Sequence, residues 1–286
     1  MLNRLADRFL RRLLPLSAPA SDSIEPAPAR QPSVEWVAPV RDVHQGLIQT
    51  HFSGRVQFDA TGPVIQHPLL ILAFTNRSGS NLLGDYLRQT GTVGGMGEYL
   101  NSDTARNLST REGLNNFPDY LHHLSQRLCK PGQMFGVKAS AEQLGFLRDW
   151  RLIEMFSRVS VIHIHRDDLM AQAVSHWIAR ETGQWTSLQK RRSDHIRFDA
   201  ERILNIARDI TTADHAIRRE CALSQLPYLS ASYEELRNNP KVLVDRIGLF
   251  AGLDTGDWQP AAPKIAKQAN ETNVDFLARL ADYMRG

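Results

Sequence analysis

Residues 69–83 combine an apolar run, a short polar turn and the start of an amphipathic segment. Every position from 69 to 74 is apolar, which is typical of a parallel strand covered by helices on both faces. A turn from such a strand into a helix points backbone N–H groups and the positive end of the helix dipole at one place, where anions bind. The sequence therefore predicts an α/β domain with an anion site at this turn.

The side chains of the turn suit a phosphate or sulfate ester. Arg77 offers a cationic fork, and Gly79 allows close approach of the backbone. Ser78, Ser80 and Asn81 add short polar groups. The chain has no G-x-x-x-x-G-K-[ST] loop, G-x-G-x-x-G fingerprint, G-x-S-x-G elbow or H-E-x-x-H pair. An ordinary loop before an ordinary helix remains the alternative.

Further motifs follow the turn in a fixed order. They are Thr90-Gly91 with Gly97-Glu98, then Phe135-Gly136-Val137-Lys138, Arg166-Asp167, Gln172-Ala173-Val174-Ser175, and Thr182-Gly183-Gln184-Trp185. From about residue 69 to the C-terminus, this series resembles the bacterial trehalose 2-sulfotransferase-like family. That family transfers sulfuryl groups from 3′-phosphoadenosine-5′-phosphosulfate (PAPS). The resemblance implies a P-loop-NTPase-like sulfotransferase fold, a three-layer α/β/α architecture with a mostly parallel central sheet.

The resemblance also assigns roles to residues. The residues expected to bind the 5′-phosphosulfate of PAPS are Arg77, Ser78, Gly79, Ser80 and Asn81. Arg166 and Ser175 are expected to bind the 3′-phosphate. Their separation of nine positions (175 − 166) is one more than in better-known sulfotransferases, so a neighbour of Ser175 remains an alternative. The expected acceptor is a hydroxyl of a carbohydrate or glycolipid, and the family also points to a homodimer.

Sulfuryl transfer requires a group that takes the proton of the acceptor hydroxyl and groups that receive charge on the departing oxygen. The resemblance makes Glu98, seven positions after Gly91, the general base. An exposed loop carboxylate is the alternative for Glu98. His163 and His165 share one face of a predicted strand and include a possible rival base, although structural histidines are commoner.

Several further assignments depend on burial, which the sequence does not give. Arg77 and Lys138 are candidates for receiving charge, and Lys138 could equally face water. Three aromatic residues could stack on a sugar ring, although such residues more often pack in a core: Tyr99, Trp177 and Trp185. The resemblance also implies a loop at residues 264–273 that closes over the donor, with Lys267 and Asn273 as possible contacts.

The apolar periodicity predicts helices at residues 110–130, 142–157, 168–180, 199–224 and 240–251, with strands at 135–139 and 226–233. Asp167 or Asp168 is placed to cap the helix after Arg166, and Asn239-Pro240 to begin the last of these helices. The glycine-rich stretch 91–97 is predicted to be a loop. Alternating strands and helices favour a parallel three-layer sheet.

Composition and charge favour a cytoplasmic enzyme. The 286 residues are 42% hydrophobic and carry a net charge of +3, with only two cysteines, so neither nucleic-acid binding nor a disulfide framework is expected. The ten histidines and two cysteines show no metal-ligand spacing. Two functional alternatives remain open: a nucleotide or sugar kinase with a degenerate phosphate loop, and a non-catalytic nucleotide-binding module.

Three parts of the chain differ in composition. Residues 1–16 resemble a basic amphipathic helix that could contact the inner membrane surface, with a frayed tail as the alternative. Residues 17–65 contain a Pro/Ala-rich tether and an irregular lead-in. Residues 66–286 form the predicted sulfotransferase domain.

Overall fold

A five-stranded parallel sheet forms the centre of the computed structural model, which describes residues 43–186, 189–193, 195–262 and 271–285. The strands are β1 Leu69–Phe74, β2 Val93–Gly97, β3 Met134–Ala139, β4 Val159–His165 and β5 Tyr228–Ser232. The helices are α1 Gln45–His51, α2 Ser80–Gln89, α3 Ser102–Glu112, α4 Phe117–Leu128, α5 Ala141–Asp149, α6 Leu169–Thr182, α7 Ala200–Leu223, α8 Tyr233–Asn238, α9 Pro240–Ala251 and α10 Glu271–Arg285.

The strand order β2-β3-β1-β4-β5 places β1 at the centre of the sheet. Leu70 of β1 is paired with Gly136 of β3 on one side and with Ser160 of β4 on the other. Because all strands are parallel, the segments after β1, β3 and β4 meet at one edge of the sheet. The prediction of a three-layer α/β fold with a parallel sheet is confirmed.

Helices cover both faces of the sheet. Alternate residues of β1 enter different cores: Ile71 packs with the cluster of α4 and α5, whereas Leu72 packs with that of α2 and α9. This alternation follows from the period of two along a strand. A third cluster joins α6, α7 and α10 and includes Val174 of α6 and Phe276 of α10. The continuous apolar run is therefore explained by helices on both sides.

Two predicted helices are wrong in extent. Residues 110–130 do not form one helix, because α3 ends at Gly113 with φ +68° and α4 begins after Asn116, which accepts a hydrogen bond from the Asp119 amide. Residues 142–157 contain α5 and a separate 3₁₀ turn, Leu152–Met155, after Arg151 adopts φ +57°. Glycine and left-handed residues interrupt both apolar patterns.

Residues 43–65 are not an irregular lead-in. They include α1, and Ile48, Phe52 and Val56 are each 1% exposed in the same core as α4 and α5. Ile48 lies within α1, whereas Phe52 and Val56 lie in the turn that follows it and pack in the same core. The folded part of the chain therefore extends before residue 66.

The glycine-rich stretch predicted to be a loop contains strand β2. Gly95 has φ +79°, and a Cβ built there would lie 2.8 Å from the carbonyl oxygen of Gly136 on β3. A register shift between Gly95 and Gly97, with Met96 at φ +68°, ends the regular pairing just before Glu98. The glycines that weaken strand propensity are therefore those that permit close pairing and a bulge.

The predictions for residues 1–16 and for the tether at 17–42 lie outside the described residues. Within the described ranges, no helix is long and apolar enough to cross a membrane.

Replacement of Gly79 by alanine tests how tightly the turn after β1 is built. Gly79 has φ +91°, and a Cβ there would lie 2.5 Å from Cδ2 of Tyr233. We expect Gly79→Ala to lower the free energy of unfolding by about 3 kcal/mol, because backbone strain and overpacking combine. Chemical denaturation measures the loss.

The matched control is Gly132→Ala. Gly132 has φ +84°, but a Cβ added there would meet no atom of the described residues within 4 Å apart from its own chain neighbours. We expect a loss of about 1 kcal/mol from the left-handed backbone alone. Equal losses for the two variants would contradict the close packing of Gly79 against Tyr233.

Candidate functional site

The turn between β1 and α2 has an unusual backbone. Arg77 and Gly79 both adopt positive φ, +68° and +91°. Gly79 is the N-cap of α2, so this helix has no side-chain cap at its first position. An uncapped helix N-terminus after a tight turn directs amide donors and the positive end of the dipole outward, as an anion site requires.

Ser78 supplies a buried polar atom at this turn. Its side chain is 0% exposed, and its hydroxyl makes no hydrogen bond with any of the described residues. Buried hydroxyls are nearly always paired, so this unpaired one is suited to bind an oxygen of an anion at the turn. Ser80 is also buried, and it begins α2.

Arg77 joins the turn to α6 and to the segment after it. Its Nε donates to Oγ of Ser175 at 3.0 Å, and its Nη1 donates to the carbonyl oxygen of Trp185 at 2.6 Å. The family resemblance assigned Arg77 to the 5′-phosphosulfate of PAPS and Ser175 to its 3′-phosphate. The structure brings these two side chains into direct contact.

Arg166 lies directly after β4 and faces the same region. Its Nε is buried without a hydrogen bond to the described part of the chain, and it is 3.8 Å from a carboxylate oxygen of Glu234, beyond hydrogen-bond distance. Its guanidinium group lies over the ring of Tyr233, 5.2 Å from the centroid. Since Tyr233 also packs against Gly79, this one ring contacts both halves of the site.

The two arginines make the site electropositive. Burial lowers the pKa of Arg77, and repulsion from Arg166 lowers it further. Arg77 nevertheless remains cationic at neutral pH, because arginine titrates far above it. Neighbouring guanidinium groups favour an anionic ligand, which would relieve their repulsion.

Lys138 is buried, so the alternative that its side chain faces water is wrong. Its side chain on β3 is 3% exposed, and its Nζ donates to Oδ1 of Asn81 at 2.8 Å and to Oε1 of Glu98 at 2.6 Å. The ammonium group also lies 4.4 Å from the ring centroid of Phe74. Burial lowers the pKa of Lys138, and the Glu98 carboxylate opposes part of that shift.

Glu98 is held at one oxygen and open on its other side. Lys138 binds Oε1, while the Glu98 side chain is 49% exposed. The Tyr99 ring approaches Gly97 so closely that a Cβ added to this glycine would lie 2.6 Å from the ring, which fixes the chain beside Glu98. The structure therefore brings Glu98, Lys138 and Asn81 together at the start of α2, an arrangement suited to accepting a proton.

The strand histidines have structural partners. His163 is fully buried, and its ring nitrogens contact the Tyr228 hydroxyl at 2.8 Å and Asp214 Oδ1 at 3.0 Å. His165 lies 3.2 Å from a carboxylate oxygen of Asp167. These contacts favour the structural interpretation of both histidines over the role of a rival base.

The aromatic candidates differ in exposure. Trp177 is 4% exposed and its Nε1 donates to the Arg197 carbonyl, so it belongs to the core, the alternative that the sequence analysis favoured over stacking on a sugar. Trp185 is 37% exposed, and Tyr99 is half-buried and stacked on Phe135. Of these three aromatic residues, only Trp185 is exposed to solvent.

The C-terminal contacts are only partly described. Asn273 lies in α10 and is buried, so the predicted loop at 264–273 does not extend to it. Lys267 lies outside the described residues.

The N-cap prediction for the helix after Arg166 is confirmed at Asp168, which accepts a hydrogen bond from the Ala171 amide.

Some site residues were missed by the sequence analysis. Gln172 is fully buried and contacts Thr75 and the carbonyl of Asn76. His176 lies near Arg77; burial, together with Arg180 and Arg77, lowers its pKa to about 4, so it is neutral at pH 7. Gln172 had a signal, since it belongs to the Q-A-V-S motif, but its partners lie far away in sequence.

Comparison with known proteins supports a single family. Residues 69–282 match the family model described as Stf0 sulphotransferase. The trehalose 2-sulfotransferase of Mycobacterium tuberculosis strain Erdman is 24% identical over 256 residues, covering 74% of this chain and 93% of that protein.

Two solved structures are similar at low identity. The sulfotransferase domain of the Synechococcus PCC 7002 olefin synthase has a TM-score of 0.45 and 15% identity over 79% of this chain and 97% of that one. A sulfotransferase from Alicyclobacillus acidocaldarius has a TM-score of 0.45 and 14% identity, over 76% and 93%. The family model, which spans most of the sequence, is the stronger finding: the chain belongs to the Stf0 sulfotransferase family.

Proposed function

We propose that this protein transfers a sulfuryl group from PAPS to a hydroxyl of a carbohydrate, with Glu98 as general base. The observation that carries the proposal is the contact of Lys138 with both Glu98 and Asn81. It joins a half-exposed carboxylate to the first residues of a helix whose N-terminus suits an anion. Membership of a sulfotransferase family supports sulfuryl transfer as the reaction.

The donor would bind across two anion-binding groups. In this proposal Arg77, Ser78, Gly79, Ser80 and Asn81 hold the 5′-phosphosulfate, as their turn geometry favours. The unpaired Ser78 hydroxyl fits an oxygen of that group.

Arg166 and Ser175 would hold the 3′-phosphate. The buried Arg166 Nε, which lacks a hydrogen-bond partner among the described residues, supports this assignment. Ser175 already contacts Arg77, so its hydroxyl would bind the phosphate beside that arginine.

The proposed reaction is an in-line displacement at sulfur. The acceptor oxygen forms a bond to sulfur as the bond between sulfur and the donor phosphate oxygen breaks. Glu98 takes the proton of the acceptor hydroxyl at its carboxylate. Arg77 and the amides at the start of α2 receive the negative charge on the departing oxygen, and Lys138 orients Glu98.

The relative named as a trehalose 2-sulfotransferase supports a carbohydrate acceptor. The exposed ring of Trp185, whose carbonyl binds Arg77, offers a surface for a sugar beside the donor half of the site. A glycolipid acceptor, a homodimer, a cytoplasmic location and contact of residues 1–16 with a membrane stay predictions.

The two other candidate functions predict different behaviour. A kinase would require magnesium with its nucleotide, whereas the proposed sulfuryl transfer uses protein cations alone. A non-catalytic module would bind the donor without turnover. The contact between Glu98 and the buried Lys138 favours the enzyme, because a binding module needs no half-exposed carboxylate at this place.

Glu98→Gln tests the proposed base. We expect turnover to fall by ~10²–10⁴-fold, as is typical of a lost general base, because the amide cannot accept the proton. The Kd of 3′-phosphoadenosine-5′-phosphate (PAP), measured by calorimetry, should change little. Steady-state assays of PAP release with trehalose and other sugars as acceptors give the turnover.

The control is Glu154→Gln. Glu154 forms a surface ion pair with Arg151, and this variant should keep wild-type turnover. Wild-type turnover in Glu98→Gln would remove Glu98 from the mechanism.

The pH dependence of kcat tests Lys138. Because burial lowers its pKa, Lys138 should lose its proton below the ordinary lysine value of 10.5. The charged form pairs with Glu98, so kcat should fall as pH rises through this lowered value. Lys138→Met should lower kcat by about 100-fold and remove this alkaline decrease from the remaining activity.

Lys241, which is half-buried and paired with Asp245, provides the control variant Lys241→Met. This variant should keep both the rate and the alkaline decrease. An alkaline decrease that persists unchanged in Lys138→Met would show that another group causes it.

A further inference from the structure

Two anion-binding groups of the site are joined by a buried bridge. Gln172 of α6 is 0% exposed, and its Nε2 donates to Oγ1 of Thr75 at 3.0 Å and to the carbonyl oxygen of Asn76 at 2.8 Å. Thr75 and Asn76 begin the turn that leads to Arg77. Gln172 therefore ties the turn after β1 directly to the helix after β4.

The hydrogen-bond chemistry allows only one orientation of the Gln172 amide. The Thr75 hydroxyl donates to Oδ1 of Asp214 at 3.2 Å, so its oxygen must accept from Gln172. The Asn76 carbonyl can only accept. Both contacts consequently require the NH₂ group, and the Gln172 Oε1 atom is left buried without a partner in the described ranges.

An unpaired buried carbonyl is unfavourable, which indicates that the two contacts are retained for another reason. The bridge lies between the residues proposed for the two phosphates of the donor. Arg77, on the side of the turn, contacts Ser175 of α6, one turn of helix beyond Gln172. Asp214 of α7 accepts a hydrogen bond from the Thr75 hydroxyl and also contacts His163 of β4.

We infer that Gln172 is a positioning residue that sets the spacing between the 5′- and 3′-anion sites, and so selects donors that carry both anions. This inference rests on the proposed function. A ligand that bridges both sites gains from their fixed separation, because no ordering is required on binding. A ligand that occupies only the 5′-site does not depend on that separation.

The test compares PAP with adenosine 5′-phosphate (AMP), which lacks the 3′-phosphate. For the wild type, we expect PAP to bind about 100-fold more tightly than AMP, since the 3′-phosphate gains charge-assisted hydrogen bonds. In Gln172→Leu, that ratio should fall to about tenfold or less, through weaker PAP binding with AMP affinity nearly unchanged. Calorimetry or fluorescence titration supplies both Kd values.

The matched control is Gln133→Leu. The Gln133 amide also bridges backbone segments, donating to the Gly91 carbonyl, but it lies before β3 at the other edge of the sheet. This variant should keep the wild-type ratio even where it lowers stability. If Gln172 had only a structural role, Gln172→Leu would weaken the binding of PAP and of AMP by similar factors.

Thr75→Val provides a second variant at the other end of the bridge, should Gln172→Leu fail to fold by circular dichroism. It removes the hydroxyl that binds Gln172 and should lower the ratio in the same direction. An unchanged ratio in the folded variants overturns the inference. Failure of the folded wild type to bind PAP overturns the proposed function itself and the spacing role with it.

Discussion

The parallel pairing of β1 with β3 and β4 is the constraint on which the site depends. Because these three strands run in one direction, their carboxyl ends bring together segments that are distant in sequence. The turn after β1 consequently lies between Lys138 on β3 and Arg166 after β4. An antiparallel neighbour would carry either cation to the opposite edge of the sheet.

The site is assembled from groups that are unfavourable by themselves. A buried ammonium group at Lys138 is tolerated because Glu98 and Asn81 bind it. Arg77 adopts a left-handed backbone beside a second arginine, and the Ser78 hydroxyl is buried without a partner among the residues that the structure describes. Such features are typical of sites where stability is given up for a preorganised electrostatic environment.

The features predicted correctly from the sequence are those that interactions between near neighbours in the chain determine. The apolar run 69–74, the turn after it and the cap at Asp168 follow from propensity, dipole and hydrogen bonding within a few residues. The sulfotransferase family was predicted from the order of motifs and is confirmed. Strand β2 was missed because its glycines lower strand propensity, although close pairing with β3 requires them.

Contacts between distant segments could not be predicted. Glu98 and Lys138 are 40 positions apart, and Thr75 and Asp214 are 139 apart, so neither the burial of the lysine nor the bracing of the turn has a local signal. The roles of the individual site residues stay predictions. The structure adds to them a set of contacts that makes each role testable.

Calorimetric titration with PAP in the presence of a chelator tests the central claim, an anion site that uses protein cations to bind the donor nucleotide. The account predicts micromolar binding by the wild type and a loss of at least about tenfold in Arg166→Ala, with Arg111→Ala, a surface residue paired with Glu112, unchanged. Absence of binding by folded wild type, or binding only with added magnesium, would contradict it.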